Sequence, residues 1–182
     1  HKMIPYGAGL GGGSADAAFM LVGLNQLFSL GLNEERLTGY AARVGSDCPF
    51  FVLNRPVFAF GKGELMESID LSLKDYHMVL VKPNRGVSTP EAYRGITPRT
   101  ASFDLRELGK LPVEQWTGVI VNDFEDSVIP KVPEIEEVKN ILRDLGAIYV
   151  SMTGSGSAVY GLFCHPVEAE KAFPEYFVWQ SE

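Results

Sequence analysis

At 182 residues, with 46% hydrophobic and 21% charged side chains, the chain has the balance of a soluble globular protein of one or two domains. A formal net charge of −7 without clustered Lys and Arg excludes broad nucleic-acid binding, because affinity for a phosphate backbone comes from concentrated positive charge. Cys48 and Cys164 are too few for a disulfide framework, and no apolar run is long enough for a bilayer, so a cytoplasmic protein without a membrane partner is expected.

The first residue is His rather than Met, and a glycine-dense run follows almost at once, which reads as a fragment of a longer protein. That run, "PYGAGLGGGSADAA" (5–18), leads into a predicted helix. Ser14 is placed to cap it, Ala15 to Ala18 favour it, Ala17, Leu21, Leu24 and Phe28 form its apolar stripe, and Gly31 can end it. Glycine is retained where positive φ or close backbone approach is required. A glycine loop opening a helix aims unpaired N–H groups and the positive end of the helix dipole at one spot, which suits phosphate better than a flexible linker would.

Asn33 caps a second predicted helix, "NEERLTGYAARVG", with Leu37, Tyr40, Ala41 and Val44 on one face and Gly45 as its stop. In "GSDCPFF", Asp47 sits between a helix-ending glycine and a proline suited to a first turn, where capping alone is the ordinary role of an aspartate. "PVFAF" and "ELMESI" flank Gly61-Lys62-Gly63 as a hairpin, and "HMVLVKP" is a short buried strand. The hydrophilic piece 70–76 marks a boundary, giving domains 1–72 and 73–182.

In the second domain Ser88 and Glu91 have capping-box spacing at the start of "STPEAYRGI". "PEIEEVKNILRDLG" places Ile135, Val138, Leu142 and Leu145 on one stripe between Pro133 and Gly146. "AIYVSM" and "AVYGLF" read as strands around a small polar loop, 153–157, followed by a helix from about Pro166 and a strand "YFVW". Strands and helices interleave without a regular βαβ rhythm, so the class is α+β.

Gly7-x-Gly9-x-x-Gly12 matches the dinucleotide fingerprint, but Pro5 precedes it where a strand is needed, and no Walker lysine follows. His77 and His165 lack metal-ligand spacing, and no metal-ligand set is expected from the chain itself. Cys48 reads as a small buried side chain.

Taken in order, "PYGAGLGGGSADAA", "GSDCPFF", "NDFE" (122–125) and "MTGSGSAVYGLF" resemble the GHMP kinases over nearly the whole chain. The resemblance implies part of a ribosomal-protein-S5-like (domain 2) N-terminal lobe that binds ATP, then a ferredoxin-like C-terminal domain. It assigns Pro5, Tyr6, Gly7, Ala8, Gly9, Leu10, Gly11, Gly12, Gly13, Ser14 and Ala15 to ATP, with Ser14 also assisting Mg2+. Asp47 takes the role of the aspartate that accepts or orients the acceptor proton. Thr153, Gly154 and Ser155 line the acceptor site, and Tyr93 in "GVSTPEAY" is the aromatic placed to stack on a cytosine, core packing being its other role.

Within the family these segments are most similar to those of kinases that phosphorylate the 2-hydroxyl of a cytidine diphosphate ester of methylerythritol, on the non-mevalonate route to isoprenoid precursors. A homoserine or mevalonate type of acceptor and a non-catalytic nucleotide-binding module are the alternatives. The family's N-terminal lysine and ring-binding residues have no counterpart before His1, so the chain alone is expected to be inactive and to self-associate through the faces of "AFMLVGLNQLF" and the edge of "PVFAF".

Overall fold

The computed structural model describes residues 1–97 and 99–181. The chain forms two compact units, one of Gly11–Leu71 with Leu105–Gly109, the other of His1–Leu10, Ser72–Asp104 and Lys110–Glu182.

The first of these opens on helix α1 (Gly12–Leu27). Gly11 is its N-cap in the left-handed conformation at φ 63°, and no side chain caps it. Ser14 therefore lies inside the first turn and is not the cap that its residue type suggests. The helix also stops short of Gly31: Ser29 turns left-handed at φ 49°, and the Leu30 N–H donates to the Asn25 carbonyl at 3.0 Å. The Asn25 amide then bonds both the N–H and the C=O of Leu32. The buried residues of α1 are Ala15 and Ala18, whereas Leu24 and Phe28 of the expected stripe are exposed together with Phe19, Met20 and Leu27.

Helix α2 (Glu34–Val44) is capped as expected, the Asn33 side chain accepting the Arg36 N–H at 3.0 Å, and it ends at Gly45. Leu37 and Ala41 are buried, while Tyr40 and Val44 lie outside that stripe and are exposed. Arg55 forks onto both oxygens of Glu34 and holds that carboxyl below the usual carboxylate range. Helix α3 (Cys48–Leu53) has Pro49 in its first turn and buries Cys48. Strands β1 (Val57–Phe60) and β2 (Leu65–Ser68) pair antiparallel across the glycine turn. The segment 105–109 packs on this hairpin, Arg106 lying 4.2 Å over the Phe58 ring and pairing with Glu67 at 2.7 Å.

The other unit contains β3 (His77–Lys82), α4 (Thr89–Gly95), α5 (Glu125–Val128), α6 (Glu134–Asp144), β4 (Tyr149–Met152), β5 (Val159–Phe163) and β6 (Phe177–Gln180). Its sheet has the order β4-β5-β3-β6 with every pairing antiparallel, the ferredoxin-like arrangement with α6 as the crossover from β3 to β4. The helix expected from about Pro166 is a single 3-10 turn, Glu170–Ala172. Phe173, disfavoured from helical geometry by Pro174, leaves that turn at φ −130° and ψ 57° and is buried with Ala169.

Ile135, Val138 and Leu142 bring the apolar stripe of α6 into the core against Val79, Val81, Val159 and Phe163. Ser88 caps α4 by accepting the Glu91 N–H at 3.4 Å. The Glu91 carboxylate pairs with Lys131 at 3.2 Å, so the expected capping box is present in its Ser half.

Candidate active site

The early glycines and the loop 153–157 meet backbone to backbone. Gly7 and Gly9 adopt φ 63° and 73°. The Thr153 hydroxyl donates to the Gly9 carbonyl at 3.0 Å, and the Ala158 N–H donates to the Ala8 carbonyl at 3.1 Å. A Cβ on Gly9 would stand 2.2 Å from the Thr153 carbonyl oxygen, so only glycine permits this approach.

The start of α4 joins the same cluster. The Ser157 hydroxyl donates to the Arg85 carbonyl at 2.6 Å, and the Thr89 and Ser155 hydroxyls lie 3.5 Å apart. One turn on, Tyr93 is 61% exposed and meets Phe124 edge-on with centroids 4.9 Å apart. A cleft of about 470 Å³ adjoins the loop, with Ile96, Asn122, Phe124, Tyr149, Thr153 and Tyr160 in its walls. Burial pushes the Tyr149 and Tyr160 phenols above the usual tyrosine range, and for Tyr160 the neighbouring Tyr149 adds to the effect.

In the unit beginning at Gly11, the first-turn amides of α1 belong to Gly12, Gly13 and Ser14. Such amides have no acceptor within a helix, and the Ala15 N–H is the first to find one, the Gly11 carbonyl at 2.9 Å. Asp47 occupies the N-cap position of α3 with helical dihedrals, and its side chain makes no capping bond. Its exposed carboxylate accepts from the Ser46 hydroxyl at 3.4 Å, and a Cβ on Gly63 at the hairpin turn would lie 3.7 Å from Asp47 Oδ1. The carboxylate is thus not committed to the helix it precedes.

The structure brings Ala8 and Gly9 of the glycine run together with Thr153, Gly154, Ser155 and the helix bearing Tyr93, while Tyr6 is 92% exposed. Gly11 to Ala15 and Asp47 lie in the other unit. Sequence reasoning gave no role to Asn122 and Glu125, although "NDFE" was visible as a segment. Among the described residues, no group of three or more His, Cys, Asp or Glu is placed to hold a metal ion, and no helix is long and apolar enough to cross a membrane.

The sequence pattern of the GHMP kinases N terminal domain matches residues 1–55, and that of the GHMP kinases C terminal matches residues 99–176. A Parabacteroides distasonis protein named 4-diphosphocytidyl-2-C-methyl-D-erythritol kinase is 50% identical over 183 residues, covering 100% of this chain and 68% of the relative. The chain belongs to the GHMP kinase family. A Bacteroides fragilis protein of the same name is 50% identical, with 100% of this chain and 67% of the relative covered, so the chain spans about two thirds of the length of these relatives.

Among solved structures, a crystal structure of 4-(cytidine 5'-diphospho)-2C-methyl-D-erythritol kinase superposes with a TM-score of 0.81 at 33% identity, covering 99% of this chain and 68% of that one. Homoserine kinase from Cytophaga hutchinsonii superposes with a TM-score of 0.70 at 18% identity over 100% of this chain and 68% of that one, which shows the shared fold.

Proposed function

We propose that the chain carries the nucleotide and acceptor machinery of a kinase that transfers the γ-phosphate of ATP to the 2-hydroxyl of 4-diphosphocytidyl-2-C-methyl-D-erythritol, a step of the non-mevalonate route to isoprenoid precursors. The observation carrying this reading is the 50% identity over the whole chain to relatives of that name. The backbone geometry gives it a mechanism.

Gly11 opens α1 without a side-chain cap, leaving the first-turn amides and the helix dipole for the ATP phosphates. Pro5 to Leu10 are the other part of the glycine run assigned to ATP, and the loop 153–157 bonds that part at the Gly9 carbonyl. The acceptor oxygen attacks the γ-phosphorus as the bond to the ADP oxygen breaks, and its proton passes to the Asp47 carboxylate, which capping does not occupy. Thr153, Gly154 and Ser155 border the acceptor, and the exposed Tyr93 ring offers a face for its cytosine. Mg2+ fits this chemistry as an ion carried by the phosphates, with the Ser14 hydroxyl on the first turn of α1 as the oxygen the chain adds. The ion supplies charge neutralisation for the transferring group.

The test replaces the matched segment of the Parabacteroides distasonis relative with this chain and supplies labelled ATP with competing acceptors. Label is expected in the cytidine diphosphate ester and not in homoserine or mevalonate. Transfer to either of those instead would overturn the acceptor, and ATP binding without transfer to any acceptor would favour a non-catalytic module.

A further inference from the structure

Beside the ferredoxin-like core lies a polar cluster that the mechanism above does not use. Glu125, in the first turn of α5, and Lys139, on α6, form an ion pair whose side chains are 17% and 9% exposed. Glu125 Oε2 faces the lysine, while Oε1 accepts the Met152 N–H at 2.7 Å. Met152 is the last residue of edge strand β4, immediately before the loop 153–157. Asn122 holds the same free edge: its Nδ2 donates to the Met152 carbonyl at 2.8 Å and to the Gly154 carbonyl at 2.9 Å. Its Oδ1 accepts the Phe124 N–H at 3.0 Å, which fixes the orientation of the amide.

A buried ion pair gains little stability over an apolar pair of similar volume, because desolvation offsets the attraction. What an apolar pair could not do is bond the free edge of β4. Beyond Met152, the loop delivers the Thr153 hydroxyl to Gly9, so whatever fixes Met152 also fixes the backbone at Gly9.

We propose that Asn122 and Glu125, the latter held by Lys139, are positioning residues that set the loop 153–157 against the glycine run, and that nucleotide affinity depends on them. This rests on the ATP reading above. Two double variants, made in the chimera with the Parabacteroides distasonis relative, separate bond from charge. Glu125→Leu with Lys139→Met removes the acceptor and both charges, whereas Glu125→Gln with Lys139→Met keeps an amide oxygen for the Met152 N–H. Amide hydrogen exchange and ATP calorimetry read both. The Leu/Met variant is expected to exchange about tenfold faster at Met152 and Gly156 and to bind ATP about tenfold more weakly, with Val79 and Val81 exchanging as in the wild type. The Gln/Met variant is expected to return both readouts to within about threefold of wild type. Asn122→Ala, which leaves the buried pair intact, is expected to loosen the loop in the same way if the first variant does not fold.

Unchanged loop exchange, loosening of Val79 and Val81 in step with the loop, or a loosened loop with wild-type ATP affinity would each overturn the positioning role. A wild-type chimera that binds no ATP would instead overturn the kinase reading, while the exchange contrast still decides whether the clamp exists.

Discussion

The hydroxyl of Thr153 donates to the carbonyl oxygen of Gly9 at 3.0 Å, joining two glycine-bearing loops 144 positions apart. The approach leaves no space for a side chain: a Cβ on Gly9 would stand 2.2 Å from the Thr153 carbonyl and 2.8 Å from the Gly156 nitrogen. Gly9→Ala is therefore expected to lower stability by more than about 2 kcal/mol in urea denaturation, combining left-handed strain with a backbone clash. Gly7→Ala shares the positive φ but meets nothing within 4 Å, so its cost is expected to stay near about 1 kcal/mol. Equal costs for the two would show that the close approach carries no energy.

Asp47→Asn, in the chimera with the Parabacteroides distasonis relative, is expected to cut turnover by about 10² to 10⁴ with ATP affinity unchanged. Its melting temperature should not move, because the side chain makes no capping bond. Asn33→Ala is the converse control: it removes a cap that the structure shows, costing about 1 kcal/mol of stability without touching turnover. Near-normal turnover in Asp47→Asn would reduce that residue to a surface carboxylate.

The contrast between those two residues shows what the sequence could and could not convey. Asn33 and Ser88 cap their helices as their residue types suggest, since an N-cap is a local bond within a few positions. The stripe of α6 was equally legible, because Ile135, Val138 and Leu142 repeat with the helical period and all reach the core. The stripe of α1 was not. Nearly every position from Ala17 to Phe28 is apolar or small, so periodicity could not tell that Ala15 and Ala18 face inward and Leu24 and Phe28 outward. Pairings over long separations left no local trace either: nothing near Arg106 announces its place over Phe58, and nothing near Glu125 announces Lys139 or Met152. The Thr153 contact with Gly9 belongs to that class, and only the resemblance in motif order put the two loops in one site.

In the same chimera, Tyr93→Ala is expected to raise the acceptor KM by roughly 5- to 150-fold while leaving the ATP KM unchanged, which corresponds to the roughly 1 to 3 kcal/mol of an aromatic stacked on a base. Tyr93→Phe keeps the ring and is expected to stay near wild type. The edge-on contact with Phe124 is worth about 0.5 to 1.5 kcal/mol of stability, so a folded Tyr93→Ala protein is expected. An unchanged acceptor KM in that protein would make Tyr93 a packing residue of the Phe124 cluster.

The outward face of α1 yields a prediction about association. Phe19, Met20 and Leu27 on α1 and Phe28 at its C-cap are 54%, 62%, 74% and 64% exposed, and Asp16 is the single ionisable side chain of the helix. Contiguous apolar area of this kind recruits another surface, and burying each such side chain fully is worth about 1.5 to 3 kcal/mol. A second copy of the chain presents the same patch, which is self-complementary under two-fold symmetry. The molecular mass from light scattering is therefore expected to rise with protein concentration through the micromolar range. Leu27→Lys combined with Phe28→Lys should return it to that of a monomer without lowering the melting temperature, since neither side chain is buried. A wild-type chain that stays monomeric to about 100 μM would mean that these side chains contribute less than the roughly 5 kcal/mol such association needs, and the self-association reading would fall.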